Sequence, residues 1–552
     1  MQEYPPPVNS GNSKPRSDSL DILSFILALV GLVTCVGSIV LGPIAIVTGL
    51  IALRRIKGNP QNGRSPAFAI AGIAISAFGT LVALIAAVVF IGGVKSNGYF
   101  FKDLGVVSEG KPIPSGEKAV TWQTLQPRSL NFYNRFIVDA YKSQGKHNEI
   151  LTSAELQFLT KVAQCMSRHP SGTFMGGCLE DGRFIVKNGS DDPLVLYYYG
   201  VALQSHDERS EAIDVFRKAR DRFKEMRYPK SAAYAVPLML STFVNDTQQA
   251  SSPAEQSALL SESIEWLRVC LHRDVVHPDE VPIALASMPL PKRLLEGHWL
   301  DLCNALRNDP NVDPYAAKML EGVCYIEAAW EARGSGYANT VTKEGWKGFR
   351  NYILLAKESF LSAWKLHPEF PNAPGHMVTV AMAGYADPGE SMRLWFDRAA
   401  ACQMDYLPNY SAYETGILAR WHGSLQKMYA FGVECLNTKR FDTEVPWQFM
   451  VSLMNLEWES ASGKTYISTR ETQQHVDEMV DGYIKAGYRT PALWKSIKAG
   501  YYWHIGERST AEKIITELGK DADPIAFGKT AEMPSNQALS TFLAIRNSSP
   551  KR

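Results

Sequence analysis

Motifs that mark catalysis or cofactor binding are absent from this sequence of 552 residues. None of its 11 histidines stands in an H-E-x-x-H pattern, in which two histidines one helical turn apart hold zinc. The sequence contains no G-x-x-x-x-G-K-[ST] phosphate loop and no G-x-S-x-G nucleophile elbow. It therefore predicts a protein that is not an enzyme and that needs no cofactor.

Paired cysteines and a surplus of one charge are also missing. The 8 cysteines include no C-x-x-C pair, which argues against a structural zinc site. The net charge is +1 and no long run of lysine and arginine occurs, so nucleic acid is not an expected partner. The number of cysteines after residue 100 is odd, which is unusual in an oxidising compartment, although Cys165 and Cys178 are near enough in sequence to close a short loop.

Charged side chains are missing from two long segments, residues 22–53 and 67–94. Each segment exceeds the roughly 20 apolar residues that a membrane-spanning helix requires. The preceding residues lack the basic start and the cleavage site of a signal peptide, so both segments are expected to remain in the mature protein. An unbroken first helix would be about 48 Å long, against ~30 Å of hydrocarbon, and we expect Gly42-Pro43 to kink it. The sequence thus predicts a two-helix transmembrane module at 21–95.

Small residues at four-residue spacing predict that the two spans pack closely, because they let helix backbones approach each other in lipid. These residues are Ala45, Gly49, Gly72, Ser76 and Thr80. The alternative is that small residues are simply frequent in membrane helices. The loop at 54–66 is more basic than either flank, so the positive-inside rule places it in the cytoplasm and the C-terminal domain on the extracytoplasmic side.

Two strings in this module carry a family resemblance. They are G-P-I-A-I-V-T-G-L-I-A-L-R-R-I-K at 42–57 and A-F-A-I-A-G-I-A-I at 67–75, and a short loop that contains glycine separates them. Their order of apolar, basic and glycine elements resembles the bacterial membrane module called domain of unknown function 4190, over about residues 20–95. The resemblance implies a multi-pass protein of the bacterial cell membrane, with the lipid bilayer as a partner, and it implies no chemistry.

Beyond the module, apolar residues recur three and four positions apart, which is the period of an α-helix. Residues 1–20 are expected to form a disordered tail, and residues 96–129, rich in glycine, proline and serine, a linker. Residues 130–552 are predicted to form an all-α domain. The clearest predicted helices are 130–141, 153–167, 194–205, 209–225, 257–272, 314–333, 346–366 and 389–402.

One helix pair, at 193–226, matches the 34-residue tetratricopeptide repeat. With Gly200 as the eighth position, apolar or small residues fall where the repeat needs them, at Leu196, Tyr199, Ala212, Phe216 and Ala219. The later half of the same repeat pattern recurs in part at Ala356, Phe360, Ala363 and Pro368. We therefore predict an α-solenoid of tetratricopeptide-like helix pairs, with an irregular helical bundle as the alternative.

A second resemblance covers about residues 320–440. The strings W-E-A-R-G-S-G-Y-A-N-T-V at 330–341 and A-R-W-H-G-S at 419–424 resemble the bacterial domain of unknown function 4034. The Arg-Gly pair and the Trp-x-Gly-Ser turn of that family are matched by Arg333, Gly334, Trp421, Gly423 and Ser424. The resemblance implies no assigned activity.

The predicted function follows from the solenoid, whose concave face binds peptides or partner helices. Candidate partner-binding residues are aromatic side chains that can anchor an interface and basic side chains that can bind carboxylates. They are Trp330, Arg333, Trp346, Lys347, Arg350, Arg420 and Trp421. The alternative for each is a structural role in helix packing or in an ion pair. The sequence thus predicts a membrane-anchored, non-catalytic scaffold for an unknown protein or peptide.

An enzyme with a site in the 327–424 region is the competing hypothesis. Its groups would be Glu327, Arg333 and His422, which have to lie within hydrogen-bond reach of one another to act together. Ser424 follows His422 closely, but a helix N-cap is the predicted role of its hydroxyl.

Overall fold

The computed structural model describes residues 112–116, 118–144, 151–167, 175–226, 252–287, 292–421, 423–460, 462–532 and 535–548, with isolated positions between and before them. The chain divides into two compact units, Met1–Val107 and Ser108–Arg552. Of the first unit, the positions described are Leu50, Ile51, Arg54 and Ile70. The tail at 1–20, the rest of both predicted spans, the Gly42-Pro43 kink and the small residues Ala45, Gly49, Gly72, Ser76 and Thr80 lie outside the described residues. Among those described, no helix combines the length and the apolar character needed to cross a membrane.

The described part of the second unit is helical, and its α-helices are numbered α1 to α23 in chain order. The first twelve are α1 (Trp122–Tyr133), α2 (Ala140–Gln144), α3 (Thr152–Ser167), α4 (Leu179–Lys187), α5 (Pro193–Ser205), α6 (Arg209–Glu225), α7 (Pro253–Val269), α8 (Val281–Ser287), α9 (Lys292–Leu295), α10 (Trp299–Arg307), α11 (Pro314–Arg333) and α12 (Lys343–Leu366). The others are α13 (Asn372–Met382), α14 (Met392–Cys402), α15 (Leu407–Gly416), α16 (Leu425–Asn437), α17 (Gln448–Glu459), α18 (Gly463–Ile467), α19 (Arg470–Ala486), α20 (Pro491–His504), α21 (Arg508–Leu518), α22 (Pro524–Ala531) and α23 (Ser535–Ser548). A π-helical segment, Asn134–Asp139, joins α1 to α2. The described residues contain no strand, only an isolated bridge between His272 and Val312, so the all-α prediction is confirmed for this part of the chain.

Helix starts follow local capping chemistry. At the start of α11 the Asp313 carboxylate accepts a hydrogen bond from the Ala316 amide at 3.0 Å, and Pro314 occupies the first helical turn. Proline is tolerated there because its missing amide proton would have had no partner within the helix. Signals of this kind lie within a few residues of sequence, and the helices predicted at 209–225 and 314–333 coincide with α6 and α11.

Glycine stands at two of the closest approaches between consecutive helices. A Cβ on Gly200 of α5 would lie 2.7 Å from Phe216 of α6, and a Cβ on Gly322 of α11 would lie 2.4 Å from Phe360 of α12. Both phenylalanine rings are fully buried. The first contact joins two positions that the tetratricopeptide pattern selects, and the second repeats it in a later helix pair. The recurrence supports a helical-repeat architecture of tetratricopeptide type.

Substituting Gly322 with alanine is expected to destabilise the helix pair of α11 and α12 by up to about 2 kcal/mol. The added Cβ meets the ring of Phe360, which also stacks on His376 with ring centroids 4.9 Å apart. Overpacking of this kind costs about 1–3 kcal/mol, and the better helix propensity of alanine offsets about 1 kcal/mol of it. Hydrogen exchange of peptides from α11 and α12 in G322A measures the loss. The control G177A places a Cβ in open space and should change stability by less than about 0.5 kcal/mol.

The start of α1 is tied to a point far along the chain. The backbone amide of Trp122 donates to both carboxylate oxygens of Asp405 at 2.9 Å, and 283 residues separate the two. Beside this contact, the Met404 amide donates to the Val120 carbonyl at 2.9 Å. The run of helices from α1 to α14 is therefore closed on itself by hydrogen bonds.

The last residues of the linker predicted at 96–129 are helical in the structure, because α1 begins at Trp122. Thr121 caps this helix, and the buried Trp122 indole donates to the Ser167 carbonyl at 3.2 Å. Glycine, proline and serine upstream of the helix favoured a linker. The contacts that order its first turns come from α3 and from Asp405, which are remote in sequence and leave no local signal.

Candidate partner-binding site

Four of the seven candidate partner-binding residues lie together around the end of α11 and the start of α12. The ring of Trp330 meets the ring of Phe349 edge-on with centroids 5.0 Å apart, and meets that of Trp421 in the same way at 5.8 Å. Trp346 meets Phe349 edge-on at 5.8 Å. We call Trp330, Arg333, Trp346, Phe349 and Trp421 the Trp330 cluster. Phe349 is buried and forms its floor.

Arg333 is held between two indole rings of this cluster. Its guanidinium carbon lies 5.6 Å from the ring centroid of Trp330 and 5.2 Å from that of Trp346. Its Nη1 donates to the carbonyls of Gly334 and Gly336, both at 3.0 Å. Gly334 ends α11 with a φ of 78°, a left-handed conformation that favours glycine and turns the chain back towards Arg333. The guanidinium is thus fixed by cation–π and carbonyl contacts and keeps its charge at the surface.

The outer edge of the cluster combines aromatic surface with positive charge. Trp346 is 38% exposed, and Tyr337, in the loop before α12, is 86% exposed. Lys347 and Arg350 are exposed on α12 and make no ion pair with any residue that the structure describes. Trp346 and Arg350 are four residues apart on one helix and share a face. This edge therefore presents an indole, a phenol and cations to solvent.

Among the candidate residues, Arg420 has the structural role that was its alternative, since it forms an ion pair within the fold. Its Nη1 lies 2.7 Å from Oε1 of Glu459 on α17, a side chain that is only 6% exposed. The backbone amide of Arg420 also donates to the Glu459 carboxylate, at 3.4 Å. Arg420 therefore ties the segment before α16 to α17, next to Trp421 of the cluster.

The Trp-x-Gly-Ser turn presents Trp421 to the cluster. A Cβ on Gly423 would lie 1.7 Å from the Ile417 carbonyl oxygen, so only glycine fits this close backbone approach. The Ser424 hydroxyl accepts a hydrogen bond from the Lys427 amide at 3.2 Å and is the N-cap of α16, as predicted. Both residues thus have a structural role in the turn.

The residues of the competing enzyme hypothesis make other contacts. The Glu327 carboxylate pairs with the Lys292 ammonium at 2.6 Å, while Arg333 contacts the indoles and carbonyls of the cluster. No hydrogen bond or ion pair joins Glu327 to Arg333 in the described part of the chain. His422 lies outside the described residues. The enzyme hypothesis stays a prediction, and the described contacts of Glu327 and Arg333 are those of ion pairing and packing.

Sequence reasoning missed a cavity of about 330 Å³ between α1, α8, α13 and α15. Polar side chains on its wall already bind one another: the Gln403 amide donates to Asp405 at 3.0 Å, and the Asn372 amide donates to the Tyr406 hydroxyl at 3.2 Å. Burial raises the pKa of Tyr406 to about 12, so its hydroxyl stays protonated at neutral pH. The cavity offers mainly apolar surface from four helices. The residues that line the cavity are far apart in the sequence and share no motif or regular spacing that would have predicted it.

Residues 20–86 match the protein family described as Domain of unknown function (DUF4190). The match confirms the first resemblance over that stretch, which is much less than half of the chain. The resemblance of residues 320–440 to domain of unknown function 4034 stays a prediction. No curated protein matches the chain.

Two solved structures align with most of the chain at low similarity. A monomeric mutant of IFIT1 with m7Gppp-AAAA covers 91% of this chain and 94% of its own, at 9% identity and a TM-score of 0.28. The APC/C hetero-tetramer Cut9-Hcn1 covers 91% of this chain and 93% of its own, at 13% identity and a TM-score of 0.16. Scores this low support no inference from either structure to the function of this chain.

Proposed function

We propose that this protein is a membrane-anchored, non-catalytic scaffold that binds an acidic segment of a protein partner at the Trp330 cluster. The observation that carries the proposal is the outer edge of the cluster, where exposed Trp346 lies beside Lys347 and Arg350, whose charges no described residue neutralises. Aromatic and arginine side chains supply most of the binding energy at protein interfaces. Uncompensated positive charge steers and orients a partner of opposite sign.

The membrane anchor in this proposal rests on the sequence. The uncharged segments at 22–53 and 67–94 are long enough to span, and the basic loop between them favours a cytoplasmic position. Leu50, Ile51 and Ile70 expose 50%, 42% and 53% of their side-chain surface, which lipid would cover. In this arrangement the helical domain lies on the extracytoplasmic face of a bacterial cell membrane.

A photoreactive benzoylphenylalanine in place of Tyr337 is expected to capture one defined partner in intact cells that make the full chain. Tyr337 follows Gly336, whose carbonyl accepts a hydrogen bond from the Arg333 guanidinium that lies over the Trp346 ring, so a bound acidic segment comes within reach of the probe. Reversing the nearby charges with K347E/R350E should lower the yield of that adduct by at least about tenfold, because repulsion replaces attraction. Mass spectrometry of the adduct then identifies the captured segment.

Two controls distinguish specific binding at the Trp330 cluster from non-specific association. The same probe at Ile525, 73% exposed on α22, should not give this adduct. K365E, a charge reversal at the other end of α12, should leave the adduct unchanged. An adduct formed equally at both probe positions, or one that survives K347E/R350E, contradicts the proposed site, as does a captured segment without acidic residues.

The proposed side of the membrane makes a prediction for two cysteines. The thiols of Cys165 on α3 and Cys178 before α4 hydrogen-bond to each other, and this contact, together with burial, raises the pKa of Cys178. In an oxidising compartment we expect them to form a disulfide, as two protons and two electrons pass to a disulfide-bearing oxidant that becomes a dithiol. Non-reducing peptide mapping of protein alkylated in intact cells detects the bond.

A reporter fused after Arg552 gives an independent reading of the same topology. Activity of a phosphatase reporter and a Cys165–Cys178 disulfide agree with an extracytoplasmic domain. A fluorescent folding-sensitive reporter together with two alkylated thiols would reverse the assignment and leave the partner-binding proposal standing.

A further inference from the structure

Three metal-ligating side chains converge in the C-terminal part of the helical domain. Glu457 lies on α17, His504 is the last residue of α20, and Glu532 follows α22. One ligand atom from each lies within 4.8 Å of the others. Two carboxylate oxygens and an imidazole nitrogen, from two helices and the residue after a third, therefore face one small space.

The members of this group are held in place by different parts of the fold. His504 Nε2 and Glu457 Oε2 are 2.5 Å apart, and their side chains are 19% and 12% exposed. Glu532 caps the end of α22 with a φ of 52°, a left-handed conformation that is uncommon for a residue with a Cβ. Its amide donates to the Gly528 carbonyl, so the helix end fixes the backbone from which the carboxylate extends.

We propose that Glu457, His504 and Glu532 bind a divalent first-row metal ion, with zinc as the best match. Zinc takes imidazole nitrogen at about 2.0–2.1 Å and carboxylate oxygen at about 2.0–2.2 Å. Two ligands on one ion are then at most about 4.3 Å apart, and the three ligand atoms already lie within 4.8 Å of one another. Small side-chain rotations, which open the direct contact between His504 and Glu457, therefore let all three bind one ion. The imidazole favours zinc over magnesium and calcium, which prefer all-oxygen sites.

Lys464 is the competing cation at this site. Its ammonium lies 3.2 Å from Glu457 Oε1, the oxygen that does not face His504, and its side chain is 71% exposed. The lysine neutralises part of the charge that attracts a metal ion, and it can move into solvent when the ion binds. The site therefore predicts that removing this charge strengthens metal binding.

Zinc chloride titrated into the detergent-purified full chain, followed by calorimetry, tests the proposal. We expect saturable binding of one ion per chain, reversal by a chelator, and a rise in the temperature of unfolding with added zinc. E457Q, H504Q and E532Q should each weaken binding by at least about tenfold. K464Q should strengthen it.

A matched control distinguishes three converging ligands from a simple histidine–carboxylate pair. His298 Nδ1 lies 2.9 Å from Asp301 Oδ2 at the surface and belongs to no group of three ligands among the described residues. H298Q should bind zinc as the wild type does. Because Glu532 is exposed, E532Q is expected to fold even if E457Q does not. Absent zinc binding, binding unaffected by E532Q and H504Q, or equal affinity for magnesium would overturn the assignment.

Discussion

Replacing Arg393 with methionine is expected to destabilise the region of α14 and α16 by about 3–5 kcal/mol. The Arg393 guanidinium makes a bidentate pair with Glu434, at 2.8 and 2.6 Å, and a third bond with Asp397 at 2.8 Å. All three side chains are at least 85% buried. Without the arginine, two carboxylates stay in the interior without their cation, and that desolvation costs more than the attraction of a surface pair.

Local hydrogen exchange is the appropriate measurement for this loss. Helical-repeat chains open in stages, so one global unfolding energy does not describe them. Peptides from α14 and α16 in R393M should exchange faster by a factor that corresponds to the lost free energy. The control R209M removes an exposed pair, in which Arg209 Nε lies 2.8 Å from Asp207 and the two side chains are 53% and 82% exposed. Its effect should stay below about 1 kcal/mol.

A compensated variant separates charge from packing. R393M/D397L/E434M removes the arginine together with the two carboxylates that it neutralises, and fills the space with apolar side chains of similar size. Replacing a whole buried ion cluster in this way is often neutral. We therefore expect the triple variant to recover most of the protection that R393M loses. A triple variant as unstable as R393M would show that shape, and not charge, governs this part of the core.

Raising the pH is expected to weaken the helical domain around α15 by roughly 3 kcal/mol between about pH 4.5 and pH 7. Burial raises the pKa of Glu414 from its ordinary 4.5 to about 7, and Ser452 and Asn455 donate hydrogen bonds to its carboxyl group. Below about pH 4.5 the carboxyl is neutral in both the folded and the unfolded chain. As the pH rises the unfolded chain ionises first, so stability falls until the folded carboxyl also ionises near pH 7.

Comparison with E414Q assigns this pH dependence to one residue. Glutamine cannot ionise, so the variant should match the wild type near pH 4.5 and exceed its stability at pH 8, with hydrogen exchange of α15 as the readout. Asp192, whose pKa burial raises to about 6, acts in the same direction at the start of α5 and is unchanged in the variant. Parallel pH profiles of wild type and E414Q in α15 would falsify the assignment.

Local chemistry made much of the helical architecture predictable. The bounds of α6 and α11 followed from apolar period and capping, and Gly200 with Phe216 followed from the spacing of one repeat. The Trp330 cluster was found in part because Trp330, Arg333 and Trp346 lie within seventeen residues of one another. Interactions within one helix pair leave such patterns, because few turns of chain separate their members.

Contacts between distant segments left no comparable pattern. Gly322 was missed because a glycine within a helix gives no sign of which ring will lie against it. The start of α1 depends on Asp405, and the proposed metal ligands come from α17, α20 and the residue after α22. Single residues whose partners are tens or hundreds of positions away have no period or spacing to reveal them. They become visible only when the chain is folded.

The bond between Trp122 and Asp405 determines how the helical domain would carry mechanical load. An open stack of helix pairs extends like a spring, because each pair touches only its neighbours. Here tension that enters at residue 122 passes directly to Asp405, just before α15, and bypasses all the helices from α1 to α14. Those helices bear little of this force until the hydrogen bonds that Asp405 and Met404 make with Trp122 and Val120 break.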